Sequence, residues 1–329
     1  MEKTVLQVQN LKVSFDTKKG LVTAVNGVDF VLKEKKTLGI VGESGCGKSV
    51  TSLSIMGLLS AQNAHIDSES RIMFKGKDLT KMSNRQMCKV RGKEISMIFQ
   101  DPMTSLNPVF TIGKQISETI RVHQKVSRSE AWNMACEMLI NVGIPEPQKR
   151  MKAFPHQLSG GMRQRVMIAM ALACQPEILI ADEPTTALDV TIQAQILELM
   201  RELKKSINTS IIMITHDMGI VAEMADEIMV MYAGEVVEHA SAEEIFSDPK
   251  HPYTRGLLAS IPRLDMDTEK LYSIQGAVPS LWDMPTGCRF CERCPEATGK
   301  CKNQKPDLYQ ANGHSVRCFC YDKGSEVKQ

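Results

Sequence analysis

The chain has 329 residues, of which 43% are hydrophobic and 24% are charged, and its formal net charge is +2. This length allows two compact domains, or one large domain with an extension, and the composition is typical of a globular protein. The small net charge favours neither a nucleic acid nor an anionic membrane surface as a partner. The N-terminal sequence MEKTVLQVQN lacks the apolar core of a signal peptide, and no apolar run approaches the ~20 residues that cross a bilayer. We therefore expect a cytosolic protein.

Two kinds of strand are predicted before the first chemical motif. Residues 4–32 alternate apolar and polar side chains, as in VLQVQNLKVSF and VTAVNGVDFVL, which is typical of half-buried antiparallel strands. The run LGIV, residues 38–41, is continuously apolar and indicates a buried strand. Strands and helices then alternate along the chain, which predicts an α/β core with a parallel sheet.

A phosphate-binding motif follows the LGIV strand. Residues 42–49 read GESGCGKS, a complete match to G-x-x-x-x-G-K-[ST], and the stretch SVTSLSIMGLL after it is predicted to form a helix. The glycines let backbone N–H groups converge on phosphate oxygens, and the helix N-terminus adds positive charge. Lys48 is expected to reach the β- and γ-phosphates, and Ser49 to ligate Mg²⁺. The motif predicts an ATP site that includes Gly42, Ser44, Gly45, Gly47, Lys48 and Ser49.

A helical insert is predicted between Gln100 and Ser159. The stretches TIGKQISETIRVHQ and RSEAWNMACEMLINVGI, residues 111–124 and 128–144, carry apolar side chains at helical spacing. We expect them to form a helical subdomain over about residues 101–160.

Two acidic residues end the next buried strand. The segment from Ile178 to Ala181 is apolar and leads into Asp182 and Glu183. Asp182 is expected to hold Mg²⁺ through water, and Glu183 to act as the general base that polarises the attacking water. A later apolar strand, IIMIT, leads into His216. Residues 225–258 are then predicted to complete the core with a hairpin and a helix.

These motifs, in this order, resemble those of the ATPase subunit of an ABC transporter over about residues 4–262. The stretch LSGGMRQR, residues 158–165, is similar to the signature sequence of that family. Gln100 matches the glutamine loop, Ala187-Leu188-Asp189 matches the D-loop, and His216 matches the switch histidine. Each motif is weak alone, and their shared order carries the resemblance.

The resemblance implies a fold and a set of domain limits. The fold is a P-loop ABC ATPase core of the α/β class, with a parallel sheet, an antiparallel β subdomain and the helical insert. The implied nucleotide-binding domain covers residues 1–260. Residues 261–329 form a small cysteine-rich extension.

The resemblance also implies roles for residues outside the phosphate loop. Ser159, Gly160 and Gly161 form a second phosphate cradle, which closes on the γ-phosphate of the ATP held by an opposite subunit. His216 contacts that phosphate group in its own subunit and positions Glu183 and the water. Gln100 senses Mg²⁺ or the water and relays occupancy to the transporter, and Asp189 belongs to the nucleotide-binding set.

Two further assignments have a plain structural alternative. Phe15, in LKVSFDT, is the match to the aromatic residue that stacks on adenine, and the alternative is a core aromatic on a strand. The stretch QDPMTSLNPVFTIG, residues 100–113, is where the family docks a coupling helix of the membrane subunit. The alternative there is an ordinary proline-punctuated loop.

Six of the ten cysteines lie in the last 42 residues. A reducing cytosol disfavours disulfides, whereas thiolates that converge on one point bind a soft metal or a cluster. The stretch PKHPYTRGLLASIPRL and the pattern GCRFCERC, GKC, PDL and HSVRC resemble the oligopeptide and dipeptide importer ATPases. That resemblance implies a 4Fe–4S cluster, and Zn²⁺ held by four thiolates is the rival because the spacing fits both. The implied ligands are Cys288, Cys294, Cys301 and Cys318, whereas Cys291 and Cys320 fall outside the pattern.

The function implied is ATP hydrolysis that powers import of dipeptides or oligopeptides at the cytoplasmic face of the cell membrane. The expected partners are a related but non-identical ATPase subunit, two membrane permease subunits and an extracytoplasmic substrate-binding protein. Import of nickel or a metal chelate is the alternative, since such importers share the extension. A soluble ABC ATPase acting on nucleic acid or ribosomes is a distant alternative, because the sequence has neither a coiled-coil insertion nor a second ATPase core. An iron–sulfur redox protein that binds ATP is a third, and no nucleic-acid partner is expected.

Overall fold

A computed structural model describes residues 3–101, 105–186, 188–261, 272–311 and 313–322. The chain forms two compact units. The first unit comprises Met1–Val5, Lys33–Lys36 and Lys81–Met213, and the second comprises Leu6–Leu32, Thr37–Thr80 and Ile214–Gln329. The cysteine-rich extension therefore belongs to the same unit as the phosphate loop, while the helical insert belongs to the first unit. The functional boundary near residue 260 stays a prediction.

The strands and helices of the described residues are numbered in chain order. The strands are β1 (Thr4–Thr17), β2 (Gly20–Lys33), β3 (Thr37–Val41), β4 (Ala64–Ile66), β5 (Arg71–Phe74), β6 (Lys77–Asp78), β7 (Ile95–Ile98), β8 (Ile178–Asp182), β9 (Ser210–Thr215), β10 (Glu227–Tyr232), β11 (Glu235–Ser241), β12 (Tyr309–Ala311) and β13 (His314–Val316). The helices are α1 (Lys48–Ile55), α2 (Asn84–Val90), α3 (Ile112–His123), α4 (Arg128–Asn141), α5 (Pro147–Arg150), α6 (Gly160–Leu172), α7 (Val190–Ile207), α8 (Met218–Met224), α9 (Ala242–Ser247), α10 (Pro252–Ala259) and α11 (Gly299–Asn303).

The second unit contains an antiparallel sheet and part of a mixed sheet. In the antiparallel sheet the order is β2-β1-β5-β6, with β4 paired to β1 at Val13 opposite Ile66. In the mixed sheet β10 runs parallel to β3, with Ile228 opposite Gly39, and antiparallel to β11. The extension adds β13 and then β12 beyond β11. The alternating pattern of residues 4–32 thus predicts the antiparallel strands correctly.

The first unit holds the acid-bearing strand and the helical insert. Strand β8 runs parallel to β7, and every residue of both is buried, which explains why their sequences are apolar except at Ser96 and Asp182. Helix α4 begins with a capping box between Ser127 and Glu130, which satisfies its first free N–H groups. The helical prediction for residues 111–144 is confirmed, and the apolar faces of α3 and α4 are fully buried at Ile112, Ile116, Ile120, Ala131, Ala135 and Leu139.

The end of the core differs from its prediction in one respect. The hairpin β10–β11 is followed by two short helices, α9 and α10, and not by one. Pro249 lies between them, and a proline cannot continue a helix that precedes it. His251 then caps α10 by accepting a hydrogen bond from the Tyr253 N–H at 3.0 Å, with Pro252 at the first helical position. Among the described residues no helix combines the length and apolar character needed to span a bilayer.

A buried carboxylate on β11 joins the extension to the core of the second unit. Glu238 is completely buried, and its oxygens accept hydrogen bonds from the N–H groups of Lys250 (2.7 Å) and His251 (2.9 Å). The ring of His314, on the first residue of β13, makes a third contact with this carboxylate at 2.9 Å. One side chain therefore holds β11, the start of α10 and β13 together.

Replacing this carboxylate should destabilise the protein. Glu238→Ala leaves the N–H of half-buried Lys250, the N–H of buried His251 and a buried imidazole without their acceptor, so the free energy of unfolding is expected to fall by about 3 kcal/mol. Urea denaturation measures the loss. Glu243→Ala, at an exposed position of α9, is the control and should stay within about 0.5 kcal/mol of the wild type. Equal stability of the two variants would contradict the proposed role of Glu238.

Candidate functional site

The phosphate loop connects β3 to α1, and at two of its positions only glycine fits the backbone path. Gly42 and Gly47 have φ angles of 152° and 93°, which L side chains rarely adopt. A Cβ atom on Gly42 would lie 2.2 Å from the Met231 carbonyl oxygen, and one on Gly47 would lie 2.7 Å from that of Ala24. The loop is thus pressed against β10 and β2, and its backbone is fixed before α1 begins at Lys48.

The side chains of the phosphate loop divide into a buried and an open side. Lys48 is buried, and its Nζ donates to the carbonyl oxygens of Gly42 (2.7 Å) and Glu43 (2.9 Å). Cys46 is also buried, and burial raises the pKa of its thiol, which disfavours the thiolate form that a nucleophile needs. Ser44, Gly45 and Ser49 are exposed, and they form the open side of the predicted ATP site.

The predicted base and the predicted sensor lie together in the first unit. Asp182 is the last, buried residue of β8, and Glu183 follows it with a φ angle of 47°. This left-handed backbone costs about 1 kcal/mol or more in a residue other than glycine, and such strain concentrates at functional sites. One oxygen of Glu183 accepts hydrogen bonds from Gln100 Nε2 (2.8 Å) and from Thr186 Oγ1 (2.9 Å). The carboxylate is therefore held in one orientation by two donors.

The signature sequence forms the exposed start of α6. Ser159 caps the helix by accepting a hydrogen bond from the Met162 N–H at 3.3 Å, and Ser159 and Gly160 are exposed. Gly161 lies against α7, where a Cβ atom would come within 2.9 Å of Ile192 Cγ2. An exposed helix N-terminus presents backbone N–H groups that suit a phosphate.

Gln164 is a residue of this site that sequence reasoning missed. It is buried, and its Nε2 donates to the carbonyl oxygen of Pro184, the residue after Glu183. The signature helix is thereby tied to the loop that carries the predicted base. Its position four residues before Ile168, on the buried face of α6, is the signal that identifies it.

The remaining predicted residues occupy helix or strand ends. Asp189 caps α7 by accepting a hydrogen bond from the Ile192 N–H at 3.0 Å, and its neighbour Ala187 lies outside the described residues. His216 is exposed between β9 and α8. Phe15 is half-buried on β1, opposite Ala64 of β4. The contacts of these residues with nucleotide stay predictions.

The stretch predicted to dock a coupling helix is partly described. Residues 102–104 lie outside the described residues, but the segment after them is fixed by Gln115. This side chain donates to the carbonyl oxygens of Asn107 (3.0 Å) and Phe110 (2.9 Å). Val109 is 70% exposed, and Phe99, just before the stretch, is 38% exposed, so both present apolar side chains to solvent.

The six cysteines of the extension surround one cavity. It has a volume of about 230 Å³ and is lined by Cys288, Cys291, Cys294, Cys301, Cys318 and Cys320, with Phe290 and His251 among the other lining residues. Burial raises the pKa of Cys288 to about 11 and that of Cys318 to about 12, and nearby thiolates add to both shifts. Within the described part of the chain, however, no three His, Cys, Asp or Glu side chains are grouped closely enough to hold a metal ion. The predicted metal centre is thus not confirmed, although its six cysteines do converge.

Gly287 allows two backbone segments beside the cysteine-lined cavity to pack closely together. Gly287 precedes Cys288, whose N–H donates to the Cys301 carbonyl oxygen at 2.8 Å. A Cβ atom on Gly287 would lie 2.2 Å from that same oxygen and 2.7 Å from the backbone of Lys302. Only glycine lets Cys288 and Cys301 approach each other through their backbones.

The sequence matches two family models. Residues 25–186 match the ABC transporter model. Residues 237–301 match the model of the oligopeptide/dipeptide transporter C-terminal region, which includes three of the four cysteines predicted as ligands.

Several curated relatives extend over nearly the whole chain. The oligopeptide transport ATP-binding protein AppD of Bacillus subtilis is 53% identical over 97% of this chain and 98% of its own length. The dipeptide transport ATP-binding protein DppD of the same bacterium is 53% identical over 99% of this chain and 97% of its own length. The oligopeptide transport ATP-binding protein OppD of Escherichia coli is 50% identical over 95% and 92%.

Solved structures share the core fold. The dimeric structure of the ATP-binding cassette MJ0796 bound to ADP and Pi superposes with a TM-score of 0.65 at 26% identity, over 72% of this chain and 98% of that chain. The structure of cbiO1 from Clostridium perfringens, part of the ABC transporter complex cbiONQ, gives a TM-score of 0.63 at 29% identity, over 75% and 92%. The predicted fold class is confirmed by these likenesses.

A methyl group at residue 287 should open the cysteine-lined cavity. Gly287→Ala places a Cβ atom against backbone atoms that cannot rotate away, so the free energy of unfolding is expected to fall by about 1–3 kcal/mol. Urea denaturation measures the loss, and limited proteolysis locates it at residues 288–301. Gly299→Ala is the matched control, because a Cβ atom there meets nothing within 4 Å. If the two variants resist urea and protease equally, the backbone contact does not set this fold.

Proposed function

The chain belongs to the ABC transporter family, and we propose that it is the ATP-binding and ATP-hydrolysing subunit of an importer for dipeptides or oligopeptides. The observation that carries the substrate class is the extension, which matches the oligopeptide/dipeptide transporter C-terminal region. The transport proteins AppD, DppD and OppD are each at least 50% identical to this chain, and their names support the same class of substrate. They favour peptides over the alternative of nickel or a metal chelate.

The phosphate loop is proposed to bind the triphosphate of ATP. Its path is set by the close contacts of Gly42 and Gly47 with neighbouring strands, and we expect its backbone N–H groups to converge on phosphate oxygens. Lys48 would exchange its carbonyl acceptors for the β- and γ-phosphates, and Ser49 and Asp182 would hold Mg²⁺. When bound, Mg²⁺ neutralises the charge that develops on these phosphates. Phe15 is proposed to stack on adenine.

Glu183 is proposed to be the base that orients and polarises the attacking water. Gln100 and Thr186 donate to one of its oxygens and orient the carboxylate, which as a base accepts a hydrogen bond from the attacking water. His216 is proposed to contact the γ-phosphate. Gln100 contacts Glu183 and directly follows the exposed Phe99 in the sequence. It therefore suits the role of relaying occupancy of the ATP site to the transporter.

The partners are proposed from the exposed parts of the first unit. The exposed start of α6, at Ser159 and Gly160, suits the γ-phosphate of ATP on a second ATPase subunit, which we expect to be related but non-identical. The exposed apolar side chains of Phe99 and Val109 are proposed to contact a helix of a membrane permease subunit. Two such permeases and an extracytoplasmic binding protein complete the importer, with this chain on the cytoplasmic face of the membrane.

The cysteine-lined cavity is proposed to hold a 4Fe–4S cluster. A single Zn²⁺ ion with Zn–S bonds of about 2.3 Å needs its four sulfur atoms about 3.8 Å apart, whereas a four-iron cluster with its own sulfides spans a wider ligand set. A cavity of about 230 Å³ lined by six thiols offers room for the wider set. Cys288, Cys294, Cys301 and Cys318 would hold the cluster, whose role is structural.

Removing the base should abolish turnover but not ATP binding. Glu183→Gln keeps the two hydrogen bonds to residue 183 possible but removes its basicity, so kcat of the assembled importer should fall roughly 100- to 10,000-fold. Phosphate release and uptake of a radiolabelled dipeptide measure the loss, and Mg-ATP binding should persist. Glu198→Gln, at an exposed position of α7, is the control. Undiminished dipeptide uptake by Glu183→Gln contradicts the proposed function, as does nickel uptake in place of peptide uptake.

The cluster and its ligands are tested by metal analysis. Protein purified without oxygen is expected to contain about four iron and four sulfide ions per chain, with a broad absorption near 400 nm. Serine at Cys288, Cys294, Cys301 or Cys318 should lower the iron content, whereas Cys291→Ser and Cys320→Ser are the matched controls within the same cavity. One zinc ion per chain without this absorption would identify the rival centre.

A further inference from the structure

An arginine of the cysteine-rich extension grips the phosphate loop directly. Arg293, which precedes Cys294, forms a two-pronged ion pair with Glu43, the second residue of GESGCGKS. Its Nη1 lies 2.6 Å from Glu43 Oε2, and its Nη2 lies 3.0 Å from Glu43 Oε1. The Arg293 side chain is 5% exposed and that of Glu43 is 33% exposed, so the pair is partly buried and water screens it less than a fully exposed ion pair.

Arg293 is itself fixed by partners on its other sides. Its Nε donates to the carbonyl oxygen of Gln275 (2.9 Å) and its Nη2 to that of Ile274 (3.2 Å). Its Nη1 also donates to the hydroxyl oxygen of Tyr232 at 3.3 Å. The guanidinium group is therefore held in place, and Glu43 is the one charged partner among these contacts.

Two other residues between Cys288 and Cys294 reach the same loop through one intermediate each. Phe290 packs against Tyr253, with ring centroids 5.3 Å apart, and the Tyr253 hydroxyl oxygen accepts a hydrogen bond from the Glu43 N–H at 2.9 Å. Arg289 donates to the Ala233 carbonyl oxygen, and the next residue, Gly234, donates its N–H to the Cys46 carbonyl oxygen at 3.0 Å. The segment from Cys288 to Cys294 thus approaches the phosphate loop by three separate routes.

The Arg293 pair has two consequences for a nucleotide in the phosphate loop. The carboxylate of Glu43 carries a negative charge next to the expected triphosphate, and Arg293 neutralises it. The pair also restrains the side chain of Glu43, a loop residue whose backbone N–H is held by the Tyr253 hydroxyl oxygen. Without Arg293, an unpaired carboxylate would repel phosphate oxygens, and Glu43 would lose one of these two restraints.

We propose that Arg293 is a positioning residue for nucleotide binding, through which the cysteine-rich extension keeps the phosphate loop in its binding conformation. The inference rests on the proposed function, since it takes the phosphate loop as the ATP site. The extension would then also influence nucleotide binding, because disorder between Cys288 and Cys294 would release Glu43 from Arg293. The extension then acts on nucleotide affinity and not on the chemical step.

Calorimetric titration of the full chain with Mg-ADP tests the proposal. Arg293→Gln leaves Glu43 charged and unpaired, so the Kd for Mg-ADP is expected to rise roughly tenfold. The double variant Glu43→Gln with Arg293→Gln removes the repelling charge and should recover part of that loss. In the assembled importer, Arg293→Gln should raise KM for ATP while kcat stays within about twofold, since the base at Glu183 is untouched.

The matched control is Arg255→Gln. Arg255 also joins the core to the extension by an arginine–glutamate pair, with Glu296 at 2.8 Å, but that pair does not touch the phosphate loop. Its Kd should equal that of the wild type. If Arg293→Gln also binds Mg-ADP as tightly as the wild type, or if only its kcat falls, the inference is overturned.

Two further outcomes keep the test decisive. If Arg293→Gln does not fold, Arg293→Lys replaces it, because lysine keeps the charge but loses the two-pronged geometry, and a Kd raised roughly threefold is expected. A wild-type Kd for Arg293→Lys overturns the inference. A wild-type chain that binds no Mg-ADP at all overturns the proposed function and, with it, this inference.

Discussion

A loop that binds phosphate oxygens must hold several backbone N–H groups in one direction before the ligand arrives, and the second unit is organised around that requirement. Gly42 and Gly47 are pressed against carbonyl oxygens of β10 and β2, so neighbouring strands fix the path of the loop. Glu43 is held from outside by Tyr253 and Arg293. The loop is therefore rigid because its surroundings are packed, and glycine is what allows the packing to come so close.

The extension belongs to the second unit, together with the phosphate loop, because it packs on the core of that unit. Its strands β13 and β12 continue the sheet beyond β11, and its buried His314 contacts the buried Glu238. The cysteine-lined cavity lies against His251 and Phe290, which belong to the same packed region as Tyr253. Among its described residues the extension buries only Phe290, Cys291 and Val316 as hydrophobic side chains, so it is stabilised by the core that it contacts. In return, its Arg293 pairs with Glu43 of the phosphate loop.

In the first unit the comparable constraint is the orientation of one carboxylate. Glu183 has a left-handed backbone and two hydrogen-bond donors on one oxygen, while Gln164 ties the following residue to the signature helix. The start of that helix and the base are therefore mechanically linked through Pro184. A group that closes on Ser159 and Gly160 would act on the loop beside Glu183 through this link.

The sequence by itself determined the fold class, the strands β1 to β3, the two long helices of the insert and the residues of the phosphate loop. Those features depend on local periodicity and on a motif whose residues are contiguous. Only the tertiary structure decided that Arg293 meets Glu43, that Gln164 meets Pro184 and that Gly287 must be glycine. These contacts join residues up to 250 positions apart, or depend on a backbone approach that no periodicity records. The spacing of the six cysteines predicts that they converge. Only the tertiary structure shows that all six line one cavity, because Cys318 and Cys320 follow strand β13, which pairs with β11.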